Sequence, residues 1–203
     1  MNKKEVWLIQ SGGHCKQCID IFLDNGYTIK GCFDNWCKGE FYRDVKIIDT
    51  LDNICKYVNN NDPIFCTIGD NKKRKELVEK YPFYNWVNCI SKYSYISSSV
   101  KIGKGNYIGV GTKILSDCKV GNFNIINDGS TMTHDNEIGD FNHLAPNSSL
   151  GGKVKISNNC LIGTNATVNP NISINNNNIV GSGGVVVKNI EKESIIVKGV
   201  PAK

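Results

Sequence analysis

A six-residue repeat of aliphatic side chains constrains the fold of this chain more than any other feature. A period of six matches neither the two-residue period of a β-strand nor the 3.6-residue period of an α-helix. The repeat runs without insertion through Ile96, Ile102, Ile108, Ile114, Val120, Ile126, Met132, Ile138, Leu144, Leu150, Ile156, Ile162, Val168, Ile174, Val180 and Val186. One inward side chain per flat face predicts a triangular coil of three faces and about 18 residues, stacked into a parallel β-helix.

The residues between the aliphatic positions fit the corners of such a coil. The position two before the aliphatic residue is often small or short and polar, as at Asn106 and Cys118. Glycine often follows the aliphatic residue, as at Gly103 and Gly121, which suits corners that need unusual backbone angles. We therefore expect a β-solenoid domain over residues 93–203.

Residues 1–92 show a different pattern, in which predicted strands alternate with predicted helices. Val6 to Gln10 predicts a buried strand, Ser11-Gly12-Gly13-His14 a turn, and His14 to Asn25 a helix that ends naturally at Asn25-Gly26. Further strands are predicted over 28–33, Ile64 to Ile68 and Trp86 to Ile90, and further helices from Thr50 to about Asn59 and from Lys72 to Tyr81. This alternation predicts a small Rossmann-like α/β domain with a parallel sheet.

Ligands of an open parallel sheet bind beyond the carboxyl ends of its strands. Glycines there let backbone amides approach a phosphate at a helix N-terminus, and a carboxylate after the second strand can accept hydrogen bonds from ribose hydroxyls. The candidates for a nucleotide site are Gly12, Gly13, His14, Asp34, Asn35, Gly69 and Asp70. The turn lacks a full GxGxxG pattern, so the sequence leaves open both a nucleotide-binding domain and a purely structural one.

The composition limits the classes of partner. The net charge is +5, and the basic residues are scattered, a pattern that fits a phosphate-bearing substrate and is too weak for nucleic-acid binding. No apolar stretch has the length of a membrane span, and the N-terminus does not read as a signal peptide. We expect a soluble, cytoplasmic protein without membrane insertion.

The nine cysteines do not indicate a metal site or a disulfide framework. Cys15 and Cys18 form a CxxC pair with no second pair at metal-ligand spacing, while Cys118 and Cys160 fall at small-residue positions of the repeat. We expect buried, reduced thiols and no metal. The run from Asn175 to Asn178 is interpreted as solvated corners.

Two of the three histidines lie within the repeat. His134 follows Met132 by two residues and has Asp135 beside it, whereas His143 precedes Leu144 and lies half a coil later. A histidine at a solenoid corner can simply be solvated, so the surrounding motifs decide its interpretation.

Those motifs carry a family resemblance that covers nearly the whole chain. The segments concerned are Ser11-Gly12-Gly13-His14, Phe33-Asp34-Asn35, Thr131-Met132-Thr133-His134-Asp135, Ile138-Gly139-Asp140-Phe141-Asn142-His143, Gly151-Gly152 and Gly199-Val200-Pro201-Ala202-Lys203. Together they resemble the NeuD/PglD-like sugar acyltransferases of the hexapeptide-repeat superfamily. The resemblance implies a left-handed parallel β-helix that trimerises, with coenzyme A between neighbouring helices and a nucleotide sugar on the α/β domain.

The resemblance also implies a reaction, in which acetyl-CoA acetylates the 4-amino group of a UDP-linked 4-amino-4,6-dideoxy sugar for glycan synthesis. His134 would be the general base, and Asp135, where the family usually has Glu, its orienting partner. The remaining assignments are His143 as a contact of acetyl-CoA, Gly152, Thr164 and Ser182 as lining of the coenzyme channel, Asn127 beside the sugar, and Gly12, Gly13, His14, Asp34, Asn35, Gly69 and Asp70 around UDP.

Three alternative functions stay open on the sequence. A γ-type carbonic anhydrase needs three histidine ligands for zinc, and the repeat supplies two. A non-catalytic solenoid, such as an ice-binding or scaffold module, favours a flat and regular outer face, which this sequence lacks. The third alternative is O-acetylation of sialic acid or another free sugar, because His134 could deprotonate a hydroxyl as well as an amine.

Overall fold

The computed structural model describes residues 4–35 and 39–203, which form two compact units, Met1–Lys92 and Tyr93–Lys203. The first unit contains the strands β1 (Lys4–Ile9), β2 (Tyr27–Phe33), β3 (Phe41–Tyr42), β4 (Val45–Asp49), β5 (Pro63–Cys66) and β6 (Asn85–Trp86), and the helices α1 (Gly13–Asp24) and α2 (Asn71–Lys80). A two-residue strand, Cys89–Ile90, follows β6.

The sheet of the first unit has the order β3-β4-β2-β1-β5-β6, in which only the β3–β4 pair is antiparallel. Helix α1 covers the sheet with an apolar stripe of fully buried residues, Cys15, Cys18, Ile19 and Phe22. The Phe22 ring meets Phe65 of β5 edge-on, with centroids 5.5 Å apart. The predicted α/β architecture is confirmed. Within the described residues, neither helix has the length and apolar character needed to cross a bilayer.

The segment after β2 differs from the sequence-based prediction. The helix predicted from Thr50 to Asn59 is a 3-10 helix over Leu51–Lys56, and the Thr50 side chain does not cap it. Its N–H groups follow the 3-10 pattern, since the Tyr57 N–H donates to the Ile54 carbonyl three residues before it at 3.0 Å. The β3–β4 hairpin was not predicted. Its turn residues, Arg43 and Asp44, adopt positive φ angles of 48° and 63° without a glycine to signal them.

The strand predicted from Trp86 to Ile90 is also wrong in detail, because two short strands, Asn85–Trp86 and Cys89–Ile90, replace it. The Trp86 ring is buried, and its Nε1 donates to the Tyr81 carbonyl at 3.1 Å. This contact ties β6 back to the end of α2.

The second unit is a parallel solenoid of two-residue strands on three faces. The first face holds Tyr107–Ile108, Ile125–Ile126, His143–Leu144, Leu161–Ile162, Ile179–Val180 and Ile196–Val197. The second face holds Tyr95–Ile96, Lys113–Ile114, Thr131–Met132, Ser149–Leu150, Thr167–Val168 and Val185–Val186. The third face holds Lys101–Ile102, Lys119–Val120, Glu137–Ile138, Lys155–Ile156 and Ser173–Ile174. Up to the Val185–Val186 strand, paired strands are 18 residues apart and in register, as Thr131 is with Ser149.

The predicted aliphatic ladders form the core of this solenoid. Ile108, Ile126, Leu144 and Ile162 are completely buried one above the other. Burying each such side chain is worth about 1.5–3 kcal/mol, so the ladders supply most of the stabilisation. The regular spacing ends after Val186, since Ile196 pairs with Ile179 and the last coil is one residue shorter.

A ladder of buried asparagines lies beside the aliphatic ladders. The Oδ1 atoms of Asn106, Asn124 and Asn142 accept the backbone N–H of the residue one coil later, each at 2.8 Å. Their Nδ2 groups donate to carbonyls at 2.8–2.9 Å. The interpretation of the asparagine run as solvated corners is wrong for Asn178, which is fully buried and bonded to the Asn175 and Lys192 carbonyls. These amides satisfy backbone groups inside the corner.

Replacing Asn124 with alanine should destabilise the solenoid by about 2–4 kcal/mol, because the Asn142 N–H and the Gly139 carbonyl lose their buried partner. Urea unfolding followed by circular dichroism measures the change. The matched control is Asn169→Ala at an exposed position of the same solenoid, where we expect a change within about 0.5 kcal/mol. Equal effects of the two substitutions would contradict a structural role for the ladder.

Candidate active site

His134 and Asp135 form a hydrogen-bonded pair on one edge of the solenoid. The Nδ1 atom of His134 lies 2.8 Å from Oδ2 of Asp135. Asp135 adopts a φ of 60°, a left-handed conformation that Asp tolerates better than most residues, and this turns its carboxylate back to the imidazole. The side chains are 61% and 46% exposed. The pair is therefore open to an incoming substrate, with Nε2 of His134 as the ring nitrogen left for proton transfer.

The coils above and below hold the backbone of this pair. The Asp135 N–H donates to the Ser116 carbonyl at 3.0 Å, and the Lys153 N–H donates to the His134 carbonyl at 3.0 Å. The His134–Asp135 edge is thus part of the solenoid ladder, and catalytic groups on such rigid elements hold their geometry better than groups on loops.

Gly152 lies one coil below His134 and directly under its imidazole. A Cβ atom at Gly152 would come within 2.6 Å of both Cε1 and Nε2 of His134. The absence of a side chain at Gly152 is therefore what leaves room for the ring. Within the described part of the chain, the Gly152 N–H donates to no other group, so it is available to a ligand.

His143 lies in a different place, on the first face of the solenoid. Its Nε2 is 3.4 Å from Nδ2 of Asn127, and Asn127 in turn accepts the Asp128 N–H at 2.9 Å through Oδ1. The resemblance implies a position beside the sugar for Asn127, and the structure places it next to His143. His134 follows a strand of the second face, so the two histidines belong to different edges of the prism.

Thr164 and Ser182 follow the same face as His143. Thr164 comes after the Leu161–Ile162 strand and accepts the Gly183 N–H at 2.8 Å through its carbonyl, and Ser182 is exposed one coil later. The residues predicted to contact the coenzyme therefore form two groups: Gly152 beside His134 on one edge, and His143, Thr164 and Ser182 along another.

In the first unit, the three predicted loops do meet at the carboxyl ends of β1, β2 and β5. The Ser11 N–H and Oγ both donate to Oδ2 of Asp34, at 2.7 and 2.6 Å. Asp34 is 2% exposed, so it braces the glycine turn from within the sheet edge. A Cβ at Gly69 would lie 3.9 Å from the Cβ of His14, which places the loop after β5 beside the same turn.

Helix α1 begins at Gly13 with no side-chain cap on its first turn. Gly12 precedes it in an extended conformation, and its carbonyl accepts the Tyr42 hydroxyl at 2.7 Å. The N-terminus of α1 thus presents uncapped backbone amides, which favour an anion. His14, in the first turn, lies 3.3 Å from Oε1 of Gln17 through Nδ1.

A buried arginine that the sequence analysis did not single out shapes the loop after β5. Arg74 is 1% exposed, and its guanidinium donates to the Ile68 and Gly69 carbonyls at 3.0 Å and to Oδ1 of Asn71 at 2.7 Å. Burial lowers the pKa of Arg74 to about 10. Asp70 caps α2 by accepting the Lys73 N–H at 2.9 Å, so its carboxylate is committed to the helix.

A cavity of about 300 Å³ opens at this edge of the sheet. Its wall includes Asn35, which was predicted to lie at the nucleotide site. It also includes residues that were not predicted there: Gln10, Ile68, Lys73, Lys80 and Tyr81. Asn35 accepts the Leu51 N–H at 3.0 Å through Oδ1. Among the described residues, no group of three His, Cys, Asp or Glu side chains is placed to hold a metal ion.

Comparisons with known proteins cover both units. Residues 5–81 match the family described as PglD N-terminal domain. An uncharacterized protein of Acanthamoeba polyphaga mimivirus is 56% identical over 112 residues, which are 55% of this chain and 22% of that protein, so the chain spans about a fifth of the curated relative that it matches.

Two solved structures resemble the whole chain. Perosamine N-acetyltransferase from Caulobacter crescentus, a histidine-to-asparagine mutant in complex with CoA and GDP-perosamine, is 31% identical with a TM-score of 0.91, over 98% of this chain and 95% of that one. The acetyltransferase domain of PglB from Neisseria gonorrhoeae, in complex with acetyl coenzyme A, is 23% identical with a TM-score of 0.92, over 100% and 99% of the two chains. These likenesses confirm the predicted fold class, an α/β unit followed by a left-handed β-helix.

Proposed function

Because this chain belongs to the PglD-like sugar acyltransferases of the left-handed β-helix superfamily, we propose that it transfers acetyl from acetyl-CoA to the 4-amino group of a UDP-linked 4-amino-4,6-dideoxy sugar. The single observation that carries this proposal is the His134–Asp135 pair, hydrogen-bonded at 2.8 Å on an accessible solenoid edge. A general base held in this way is what an amine nucleophile needs.

The reaction follows from ordinary acyl-transfer chemistry. The lone pair of the sugar amine attacks the thioester carbonyl carbon, and the C=O electrons move onto oxygen. The attacking nitrogen becomes cationic, and Nε2 of His134 takes its proton as the C–N bond forms. The tetrahedral intermediate then collapses, the C–S bond breaks, and the CoA thiolate that leaves takes up one proton, which the His134 imidazolium gives back to regenerate the neutral base. The products are an acetamido sugar and free coenzyme A.

Two neighbouring groups support this step. The Asp135 carboxylate accepts a hydrogen bond from the Nδ1–H of His134. This hydrogen bond fixes the ring tautomer and stabilises the imidazolium that forms. The Gly152 N–H, which is free of other described groups, is a donor for the oxyanion of the intermediate. Holding amine and thioester together supplies the rest of the acceleration through proximity.

The two edges of the prism argue for a shared site. His134 and Gly152 lie on one edge, and His143, Asn127, Thr164 and Ser182 lie along another. These groups belong to one coenzyme site only if the second edge comes from a neighbouring copy of the chain. A closed ring with one such interface per subunit satisfies this condition, and we propose that the ring is a homotrimer.

Mixing two inactive variants tests the shared site. When His134→Ala and His143→Ala subunits assemble together at equal amounts, about a quarter of the interfaces carry both wild-type histidines. In hetero-trimers purified by two tags, one interface in three carries both wild-type histidines, so we expect thiol release to recover toward about a third of the wild-type rate. No recovery in such hetero-oligomers would place both histidines in one subunit's site and contradict the trimer argument.

The nucleotide end of the acceptor is assigned to the first unit. Gly12, Gly13 and His14 form the uncapped start of α1, where a diphosphate fits, and Asn35, Gly69 and Asp70 surround the adjoining loops. Asp34 is turned inward onto Ser11, so Asn35 is the better placed of the two for the ribose. A GDP-linked amino sugar is the second candidate, because the solved relative at 31% identity holds GDP-perosamine.

One assay separates these candidates. Release of CoA thiol from acetyl-CoA is followed with a UDP-4-amino-4,6-dideoxy sugar, with GDP-perosamine and with free sialic acid, and the product is identified by mass spectrometry. We expect turnover with the UDP-linked amine and an acetamide product. Turnover of GDP-perosamine alone would change the nucleotide, turnover of sialic acid alone would make the enzyme an O-acetyltransferase, and turnover of none would end the proposal.

A further inference from the structure

The backbone of Gln10 is held in a conformation that favours glycine. Its φ is 78°, in the left-handed region that most side chains avoid. Unlike Arg43 and Asp44, which form a hairpin turn, Gln10 stands at the end of a central parallel strand. Its N–H donates to the Phe33 carbonyl at 2.7 Å, and its carbonyl accepts the Thr67 hydroxyl. A glycine at this position would form both backbone hydrogen bonds without strain. This chain instead carries a side chain here, in a backbone conformation that costs free energy.

Gln10 lines the cavity at the carboxyl edge of the sheet. Its lining includes the apolar residues Ile68 and Leu77, the aromatic residue Tyr81, the amide residues Gln10 and Asn35, and the charged residues Asp52, Lys73, Glu76 and Lys80. An ion pair between Lys80 and Asp52, 3.2 Å apart, lies at its rim. At about 300 Å³ it is at the small end of the range for ligand pockets, so it fits one part of a nucleotide sugar.

Apolar and aromatic residues beside carboxamides match the chemistry of a nucleobase. A base offers two apolar faces and an edge on which hydrogen-bond donors and acceptors alternate. A glutamine amide presents one acceptor and two donors and can bond such an edge in pairs. Residues with strained backbone dihedral angles also cluster at ligand-binding sites, where the strained conformation positions a group for binding.

We propose that Gln10 is a specificity-determining residue that reads the base edge of the nucleotide sugar. This inference rests on the proposed function only in taking the ligand to be a nucleotide. It assigns the base to the cavity lined by Gln10 and Tyr81, and leaves the diphosphate at the start of α1.

The test is Gln10→Gly, which removes the amide and relieves the backbone at once. Calorimetric titration with UDP and with GDP should show the preferred nucleotide bound about tenfold more weakly, the loss expected for one or two hydrogen bonds, while the melting temperature stays equal or rises. The matched control is Asp44→Gly, which relieves a φ of 63° in the β3–β4 turn and should leave nucleotide affinity unchanged. Gln10→Glu keeps the size, loses the donors and should also bind more weakly.

The outcomes separate this inference from the proposed function. Equal nucleotide affinity of Gln10→Gly and wild type, within about twofold, would overturn the role of Gln10, and so would wild-type protein that binds neither nucleotide. Wild-type protein that binds a nucleotide through Gln10 but releases no CoA thiol with any amino sugar would overturn the proposed reaction and uphold this inference. If Gln10→Gly releases CoA thiol with an unchanged KM for the nucleotide sugar, the proposed reaction is upheld and the role of Gln10 is overturned.

Discussion

Replacing His134 with alanine should lower kcat for acetyl transfer by about 10²- to 10⁴-fold, the usual contribution of a positioned general base. The KM for acetyl-CoA should change little, because the imidazole acts on the amine as the C–N bond forms. Release of CoA thiol under saturating substrates measures the effect. Added imidazole should restore part of the rate, since the cavity left by the side chain can admit a free base.

The control for this substitution is Ser116→Ala, one coil before His134 on the same edge. The backbone carbonyl of Ser116 accepts the Asp135 N–H at 3.0 Å, and the substitution keeps that carbonyl. We expect wild-type turnover for Ser116→Ala. If His134→Ala also turns over at the wild-type rate, His134 is not the base and the proposed mechanism is wrong.

Replacing Gly152 with alanine should lower kcat by about 10²-fold, because an imidazole displaced by an ångström or so loses its alignment with the amine. The added methyl would lie 2.6 Å from Cε1 and Nε2 of His134, and the ring, at an exposed edge, would swing aside. The free energy of unfolding should change little, because the exposed imidazole can move aside while the backbone of the coil stays in place. Thiol-release kinetics and thermal unfolding measure the two quantities.

A double variant shows whether the Gly152 effect acts through His134. Once His134 is alanine, there is no ring for the methyl to displace, so His134→Ala/Gly152→Ala should be no slower than His134→Ala. Residues that act as a unit are strongly non-additive in this way. A further full loss in the double variant would mean that Gly152 contributes through its own contact with coenzyme, and the steric explanation would fail.

The solenoid was predictable because an unbroken period determines its own contacts. When every coil has the same length, each residue meets its counterpart one coil on, as Ile126 meets Leu144. Counting one coil from His134 also reaches Gly152, so their proximity was available from the sequence. The orientation of the imidazole was not, because it depends on the 60° φ of Asp135 and the hydrogen bond that this backbone turn permits.

The run from Asn175 to Asn178 shows where the same reasoning failed. These residues were interpreted as a solvated corner because polarity favours an exposed position. Asn178, which stands two residues before Val180 as Asn106 stands before Ile108, is buried because a tight corner leaves backbone groups that need partners inside the coil. The requirement comes from the three-dimensional path of the corner, so hydropathy alone assigns Asn178 to the wrong side.

In the α/β unit, the sequence was sufficient to predict which loops meet, because the carboxyl ends of parallel strands share one edge. It was not sufficient to predict what each loop side chain does there. Asp34 turns inward to Ser11, Asp70 caps a helix, and the unpredicted Gln10 lines the cavity.

The alternation of strands and helices in the first unit and the period of the repeat in the second are local patterns, and the sequence by itself determined them along with the histidine candidates. The direction of a side chain at a strand end depends on hydrogen bonds to distant segments, such as Gln10 to Phe33 and Thr67. Only the tertiary structure decides these, because the partners are brought together by the fold and by no signal within the segment itself.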